Sequence, residues 1–386
     1  MRTSAFFSRL EKKFVAFPLR ASDLLLHLPP SFSLGVLRDT LAKPFRRRRG
    51  GTFEEVLLAG LGGTIGRRFY FPYAEKLWGL PPGRLDPVQA RRRISASGMG
   101  AMAARLFRSK KAPARVFHYP ERGFGQIAAE TAGRIRSLGG RILCSSRIRS
   151  VKAPAGGRSG TVSILAGDGA EMIPADFLFS TLPVTELVRS LRPEPPGEVL
   201  RAAGGLRYRS MVYLYLELGH RPYTTYDAHY FPGLDVAFSR MSEPLNYSCS
   251  SEPGNRTGLC FELPCGENDS LWNLPDEGVR DLVVRQLART GLPSPDVLSY
   301  TVRRRRNVYP VYELGFDRKT GLIEGFLEKQ GGLVTLGRQG LYVHDNTHHT
   351  IEMGIAAGSC LDDGLHWDGD LWLEYRKGFE GHVVVD

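Results

Sequence analysis

Nowhere in the 386 residues is there an apolar run of the ~20 positions that a bilayer-crossing helix needs. Cysteine is scarce: five residues, Cys144, Cys249, Cys260, Cys265 and Cys360, with no C-x-x-C pair. An odd set with that spacing excludes a disulfide framework and a cysteine zinc site. The expectation is reduced thiols and a cytoplasmic location. Acidic residues are also in deficit, 40 Asp+Glu against 52 Lys+Arg, for a formal net charge of +12. No helix-turn-helix, zinc-finger or RNP pattern accompanies the excess, so nucleic acid is not an expected partner.

Two runs concentrate the positive charge, Arg46 to Arg49 and Arg303 to Arg306. A solvated face is the plain reading of each. An anionic membrane surface, touched peripherally, is the partner they would otherwise suit, since a lipophilic substrate would be met there. The opening Met1-Arg2-Thr3-Ser4-Ala5-Phe6-Phe7 looks briefly like a signal peptide. Arg9, Glu11, Lys12 and Lys13 interrupt it before an apolar core forms, so no secretory signal is expected. Length predicts two domains, and 42% hydrophobic with 24% charged residues is ordinary for a globular protein.

The apolar stretch Phe14 to Leu28 is broken by Pro18 and closed by Pro29-Pro30. Thr52 with Glu55 three positions on makes a capping box, and Phe53, Val56, Leu57 and Leu61 follow at helical spacing. A helix is predicted from Gly125 to about Leu138, stopped by Gly139-Gly140. Strands are predicted at Arg141–Cys144, Ile148–Val151 and Thr161–Leu165, with a hairpin at Ala155 to Gly160 and a turn at Asp168-Gly169. A buried strand is expected over Ala175–Pro183, another strand over Tyr208–Leu218, and an amphipathic helix over Glu277–Thr290.

The most informative segment runs from Leu336 through Gly337-Arg338-Gln339-Gly340, Leu341 to His344 and Asp345 into Asn346 to Gly358. A glycine-rich turn follows an apolar run, a short strand-like stretch comes next, and a small-residue helix closes the unit. Glycine admits a bulky charged ligand to the backbone, and a helix start offers unpaired N–H groups. The chain here resembles the FAD-dependent amine oxidase and protoporphyrinogen oxidase-like superfamily, whose closing segment wraps FAD. Three further strings resemble the family in the right order: Phe69 to Pro81 ("pYxeKlWG") with Leu85-Asp86 and Ala90 to Ile94, Phe117 to Ile127, and "sTLP" at Ser180 to Pro183. Phe238 to Asn246 is similar to the family's strand across the substrate cavity, and Asn307 to Tyr312 ("YPvY") to its strand near the flavin. The likeness covers roughly residues 10 to 362.

One family element is missing. A strand, a G-x-G-x-x-G turn and a helix should open such a chain. The only candidate, Gly60-Leu61-Gly62-Gly63-Thr64-Ile65-Gly66, has the wrong final spacing and follows a predicted helix, so it reads as a helix-ending loop. The expectation is a chain that lacks the family's N-terminal βαβ unit, with weakened grip on the FAD diphosphate.

The resemblance implies an α/β fold: a discontinuous, incomplete FAD-binding Rossmann-like domain with a mixed α/β substrate domain. The implied segments are 1–115, mainly helical substrate domain; 116–184, FAD-domain helix and hairpin; 185–325, substrate-domain sheet and helix; and 326–386, the C-terminal FAD segment. Ile148 would offer backbone groups to adenine. Gly337, Arg338 and Gly340 would lie at the diphosphate turn, and Asn346, Thr347, His348 and Ile351 at the pyrimidine edge of the ring. The implied activity is an FAD-dependent oxidoreductase taking hydride from a small-molecule organic substrate. A UDP-galactopyranose mutase-like isomerase, using Arg240 or Arg305 on a diphosphate, and a non-catalytic remnant lacking FAD are the alternatives. Tyr309 and Tyr312 would either line the substrate pocket or pack in the core, and no catalytic base is named. His344 and His348 are four apart, but Asp345 stands where a zinc protease has Glu, and the segment spans a turn into a helix. No metal is expected, and Asp362, Asp363, Asp368 and Asp370 read as a solvated acidic tail.

Overall fold

The computed structural model describes residues 5–8, 13–16, 29–45, 50–94, 119–154, 160–166, 169–247, 254–382 and 384. Most of Phe14–Leu28, Arg46 to Arg49, Phe117-His118, the hairpin tip 155–159, Asp168 and Cys249 lie outside these residues. In chain order the strands are β1 (Ala5–Ser8), β2 (Lys13–Ala16), β3 (Ser146–Lys152), β4 (Gly160–Ala166), β5 (Gly169–Ala175), β6 (Leu178–Ser180), β7 (Arg207–Leu218), β8 (Ala228–Tyr230), β9 (Arg240–Ser242), β10 (Thr257–Cys265), β11 (Val297–Val311) and β12 (Leu333–Thr335). The helices used below are α1 (Phe53–Leu61), α2 (Phe71–Trp78), α3 (Gly125–Ser137), α4 (Val184–Ser190), α5 (Gly197–Gly204), α6 (Asp276–Leu287), α7 (Phe316–Leu327), α8 (Thr347–Ser359) and α9 (Gly369–Phe379). Helix and sheet are mixed throughout. No described helix is long and apolar enough to cross a membrane.

The chain separates into two compact units: residues 1–87, 97–141 and 209–306, and residues 88–96, 142–208 and 307–386. The first is organised by a seven-stranded sheet in the order β11-β7-β10-β9-β8-β1-β2. Strands β7 and β10 pair antiparallel from Thr257↔Leu218 to Cys265↔Ser210. Val212, Leu214, Leu216, Leu259, Phe261 and Leu263 alternate along them onto one face. Helix α6 covers that face with Val279, Val283 and Leu287, one residue per turn, all buried.

Helix α1 begins as its capping signal predicts: the Thr52 hydroxyl accepts the Glu55 N–H at 3.2 Å, and Glu55 reaches back to the Gly51 N–H at 2.9 Å. It ends at Gly62, whose φ of 90° needs glycine, but the loop expected over Gly60–Gly66 is confined to that residue, since Gly63–Ile65 is helical again. Helix α2 explains "pYxeKlWG" as a packing motif. Trp78 and Leu77 are buried, Gly79 has φ 68°, and the Lys76 Nζ donates to the carbonyls of Phe231 (2.6 Å) and Phe238 (3.1 Å). Burial lowers the Lys76 pKa to about 7, with Asp235 opposing the shift.

Helix α3 ends as predicted, with Gly139 at φ 84° and the Gly140 N–H bonded to the Ile135 carbonyl at 2.9 Å. The strand expected at Arg141–Cys144 does not form: those residues are irregular, Leu143 is exposed, and no described strand pairs with them. A strand exists only where a neighbour takes its N–H and C=O groups.

The second unit holds the antiparallel meander β3-β4-β5 and the parallel pair β6–β12. Strands β3 and β4 confirm the Ile148–Val151 and Thr161–Leu165 expectations. The strand expected over Ala175–Pro183 shrinks to the three residues of β6, and Phe179 is 43% exposed rather than buried. Its only described ladder partner is β12, so pairing stops where β12 stops. Leu187 and Val188 of α4, Ala203 of α5, Ile323 and Leu327 of α7, and Tyr312 and Tyr342 form the core.

Candidate functional site

In the second unit the chain leaves β12 at Leu336, whose N–H donates to the Ser180 carbonyl at 3.0 Å. Gly337 takes φ 78°, and Gly340 lies so close to β6 that a Cβ would stand 3.0 Å from the Ser180 carbonyl. The two glycines therefore permit a one-turn helix, Gly337–Gly340, tight against β6. The strand-like stretch expected at Leu341–His344 is irregular instead. Tyr342 and His344 are buried there, and the Tyr342 hydroxyl bonds backbone groups outside any ladder. The Tyr342 hydroxyl lies 2.6 Å from the Arg207 carbonyl and 2.9 Å from that of Val311. Burial pushes its pKa up, so it stays protonated.

Arg338 points inward. Its Nε donates to the Asp345 carbonyl at 2.8 Å, Nη2 bonds the same oxygen, and its guanidinium lies 5.4 Å over the Tyr309 ring. Tyr312 is core: it stacks on Phe316 at 4.0 Å and meets His344 edge-on at 4.7 Å. Tyr309, half-buried, supports Arg338.

Helix α8 starts at the Asn346 cap. The Asn346 side chain accepts the His349 N–H, while His349 Nδ1 accepts the Asn346 N–H at 3.2 Å, a capping box with histidine in the usual Glu place. His349, Met353, Ala356 and Ala357 face inward. Thr347, His348, Ile351, Ile355 and Gly358 form an exposed stripe, with Ile355 68% exposed. Gly354 and Gly358 have no heavy atom within 4 Å of where a Cβ would stand, so the stripe is smooth as well as open. The structure thus gathers Asn346, Thr347, His348 and Ile351 on the first turns of one helix, with Gly337, Arg338 and Gly340 in the turn before it. Ile148 stands apart on β3, paired with Ile164 beside an irregularity in the ladder.

The first unit carries a second surface, of which the sequence reading had singled out only Arg240. Opposite the sheet's core face, Tyr213 and Tyr215 of β7 lie beside Glu262 and Cys260 of β10, with Arg240 of β9 next in line. The Arg240 Nε bonds Glu262 Oε1 at 3.1 Å, and Nη2 bonds the same oxygen. Tyr247 stacks on Tyr119 at 5.7 Å. Burial raises the Cys260 pKa to about 12 and the Tyr247 pKa to about 12, so neither is a nucleophile or base at neutral pH. The period-two alternation in β7 and β10 was the signal for this face.

The segment Phe238–Asn246, expected as one strand, contributes only the three residues of β9. Glu243 then turns inward, where its carboxylate accepts from the Tyr223 N–H (2.9 Å), the Thr224 N–H (3.0 Å) and the Thr257 hydroxyl (2.8 Å). These bonds hold the carboxylate for structure. The Arg303–Arg306 run lies on β11, where successive residues point to opposite faces. Arg304 is tied to Asp276 at 2.6 Å and Arg306 to Glu267 at 3.0 Å, while Arg305 is exposed and lies near Tyr215. The acidic tail is partly structural: Asp368 caps α9 through the Leu371 N–H at 2.9 Å, and Asp362 pairs with His366 at 3.1 Å.

No protein-family model and no curated protein matches the sequence. Solved structures do match the fold. A reduced UDP-galactopyranose mutase aligns at TM-score 0.79 and 19% identity, over 100% of this chain and 83% of its own. A protein from Exiguobacterium sp. 255-15 assigned as a protoporphyrinogen oxidase aligns at TM-score 0.64 and 15% identity, over 87% of this chain and 76% of its own. Cyclohexylamine oxidase from Brevibacterium oxydans IH-35A aligns at TM-score 0.55 and 12% identity, over 88% of this chain and 75% of its own. At such identities the likeness speaks for the backbone: this chain has the fold shared by UDP-galactopyranose mutase, protoporphyrinogen oxidase-like and amine oxidase structures.

Proposed function

We propose that this chain is an FAD-dependent oxidoreductase of the amine oxidase and protoporphyrinogen oxidase-like kind, acting on a small organic molecule. The observation that carries it is the open stripe of α8, which begins at a capped helix start directly after the Gly337–Gly340 turn. These residues fit the ring end of FAD. The N–H groups of Thr347 and His348 lie on the exposed first turn, where the helix dipole favours negative charge on a bound ring. Ile351 and Ile355 with Gly354 and Gly358 offer a flat apolar strip to it. The fit is poorer at the diphosphate, because Arg338 is engaged on the Asp345 carbonyl and Gly62 within Gly60–Gly66 ends a helix. Binding weaker than that of a complete dinucleotide site is therefore expected. Bound FAD would supply the hydride acceptor; the chain's own residues would orient it and exclude water.

In the first unit, Tyr213, Tyr215 and Tyr247 suit a planar organic molecule through stacking. FAD added to purified protein should give saturable quenching of flavin fluorescence. Ile351→Arg, at a 46% exposed position, should weaken it at least tenfold with an unchanged circular dichroism spectrum. Failure of folded wild-type protein to quench flavin ends the proposal and favours a non-catalytic role.

The 0.79 TM-score against UDP-galactopyranose mutase favours one second reading, a flavin-dependent isomerase. Exposed Arg305 then becomes the diphosphate candidate, with Arg240 already paired to Glu262. Flavin bleached by substrate under anaerobic conditions supports the oxidoreductase; turnover seen only after dithionite reduction supports the isomerase.

A further inference from the structure

Asp345, at the end of the irregular stretch before α8, has a side chain with no exposure to solvent. Two imidazoles face it. His349, on the first turn of α8, brings Nδ1 to 3.4 Å from Asp345 Oδ1. His382, after α9, brings Nδ1 to 3.2 Å from both carboxylate oxygens. The two rings stack with centroids 4.1 Å apart, and all three donor atoms lie within 4.8 Å of one another. We infer that Asp345, His349 and His382 form a binding site for a divalent transition metal of the zinc type, which ties the end of α9 to the start of α8. The site shares the Asn346–His349 cap of α8 with the flavin proposal, and its test needs no flavin.

Hydrogen bonding supports the inference first. His349 Nδ1 accepts the Asn346 N–H at 3.2 Å, so that nitrogen carries a lone pair and no proton. The same lone pair stands beside a buried carboxylate oxygen. A cation near both would bind these two electron-rich atoms together, in place of the proton His382 can share with Asp345 and the amide that His349 accepts. The amide also holds His349 in the neutral form that a metal requires.

Distances agree. Tetrahedral zinc with ligands at about 2.0–2.1 Å spaces its donor atoms roughly 3.3 Å apart, and the donor pairs here lie at 3.2 and 3.4 Å. Histidine ligands commonly give their second nitrogen to a carboxylate, which fixes the ring. His382 Nε2 lies 3.5 Å from Glu352 Oε2 in that relation. Two histidines and one carboxylate form a borderline-soft set that suits zinc or cobalt and leaves a fourth position for water. Metal would have to draw His349 Nδ1 away from the Asn346 amide, which moderates affinity.

The test uses the full chain after EDTA treatment and buffer exchange. Zinc chloride titrated by calorimetry should bind at one equivalent and raise Tm, and cobalt(II) should give the visible absorption of a four-coordinate nitrogen–oxygen site. His382→Ala, at a position outside the helices, should fold normally and lose the zinc-dependent rise in Tm. Glu352→Gln should weaken binding about 10–100-fold, as loss of a ligand-orienting partner does. Absence of stoichiometric zinc binding overturns the inference. So does binding that survives His382→Ala unchanged, since the protein's other histidines would then be the ligands.

Discussion

The seven-stranded sheet of the first unit and the β6–β12 pair of the second must both find partners for their backbone N–H and C=O groups. The large sheet does so with long antiparallel ladders, and its apolar residues alternate onto one face beneath α6. The small pair has three residues per strand, and Phe179 stays 43% exposed against Phe177 and Trp367. Parallel strands are usually covered on both faces. The second unit therefore draws its order from helices and from distant contacts such as the Tyr342 hydroxyl on Arg207 and Val311. Strand alternation carries the large sheet, and helices and long-range contacts carry the surroundings of the β6–β12 pair.

Removing a ring from each sheet gives the largest contrast. Phe261 is fully buried and meets Phe238 edge-on at 5.3 Å, so Phe261→Ala should cost about 3–5 kcal/mol. Phe179→Ala should cost less than about 1 kcal/mol. Urea midpoints measure both, and equal losses would erase the distinction.

Lys76 sharpens the comparison through pH. Its folded pKa of about 7 lies below the ordinary 10.5, so between those values the unfolded chain binds more protons than the folded one. Stability from this group therefore rises with pH across that window, by a total on the order of a few kcal/mol. Lys76→Met should flatten the rise between pH 7 and 10, relative to wild type, in denaturation series. A wild-type profile with the same slope as the variant would show that the lysine keeps its charge.

A smaller effect than that of Phe261→Ala belongs to Tyr342→Phe. It removes one hydroxyl from the Arg207 and Val311 carbonyls while the ring still packs on Tyr208 and Phe316. The loss should be about 1–3 kcal/mol. Hydrogen exchange should quicken around β12 and α8 while β7 and β10 stay protected. Uniform acceleration in both units would mean they unfold together.

Local signals were legible wherever the chemistry was local. Thr52 and Glu55 announced the start of α1, Gly139-Gly140 the end of α3, and the apolar spacing of Val279, Val283 and Leu287 the face of α6. Arg141–Cys144 shows the opposite case: its apolar residues favour a strand, but no described strand pairs with them. Arg338 was legible as part of a glycine turn, though not as a side chain bonded to the Asp345 carbonyl. The Tyr213–Arg240 face required knowing that β7, β10 and β9 are neighbours, which pairing across 20 to 50 positions decides.

From the order of residues alone came the mixed helix–sheet character, the capped helices, the glycine turn before α8 and the likeness of six segments to one flavoprotein superfamily. These depend on backbone conformation and spacing within a few residues. Only the folded chain decided that Lys76 is a buried anchor, that Tyr312 is core, and that His382 meets Asp345 from 37 positions away. Those outcomes depend on which distant groups share one desolvated space, and burial and charge act through distance in that space rather than along the chain.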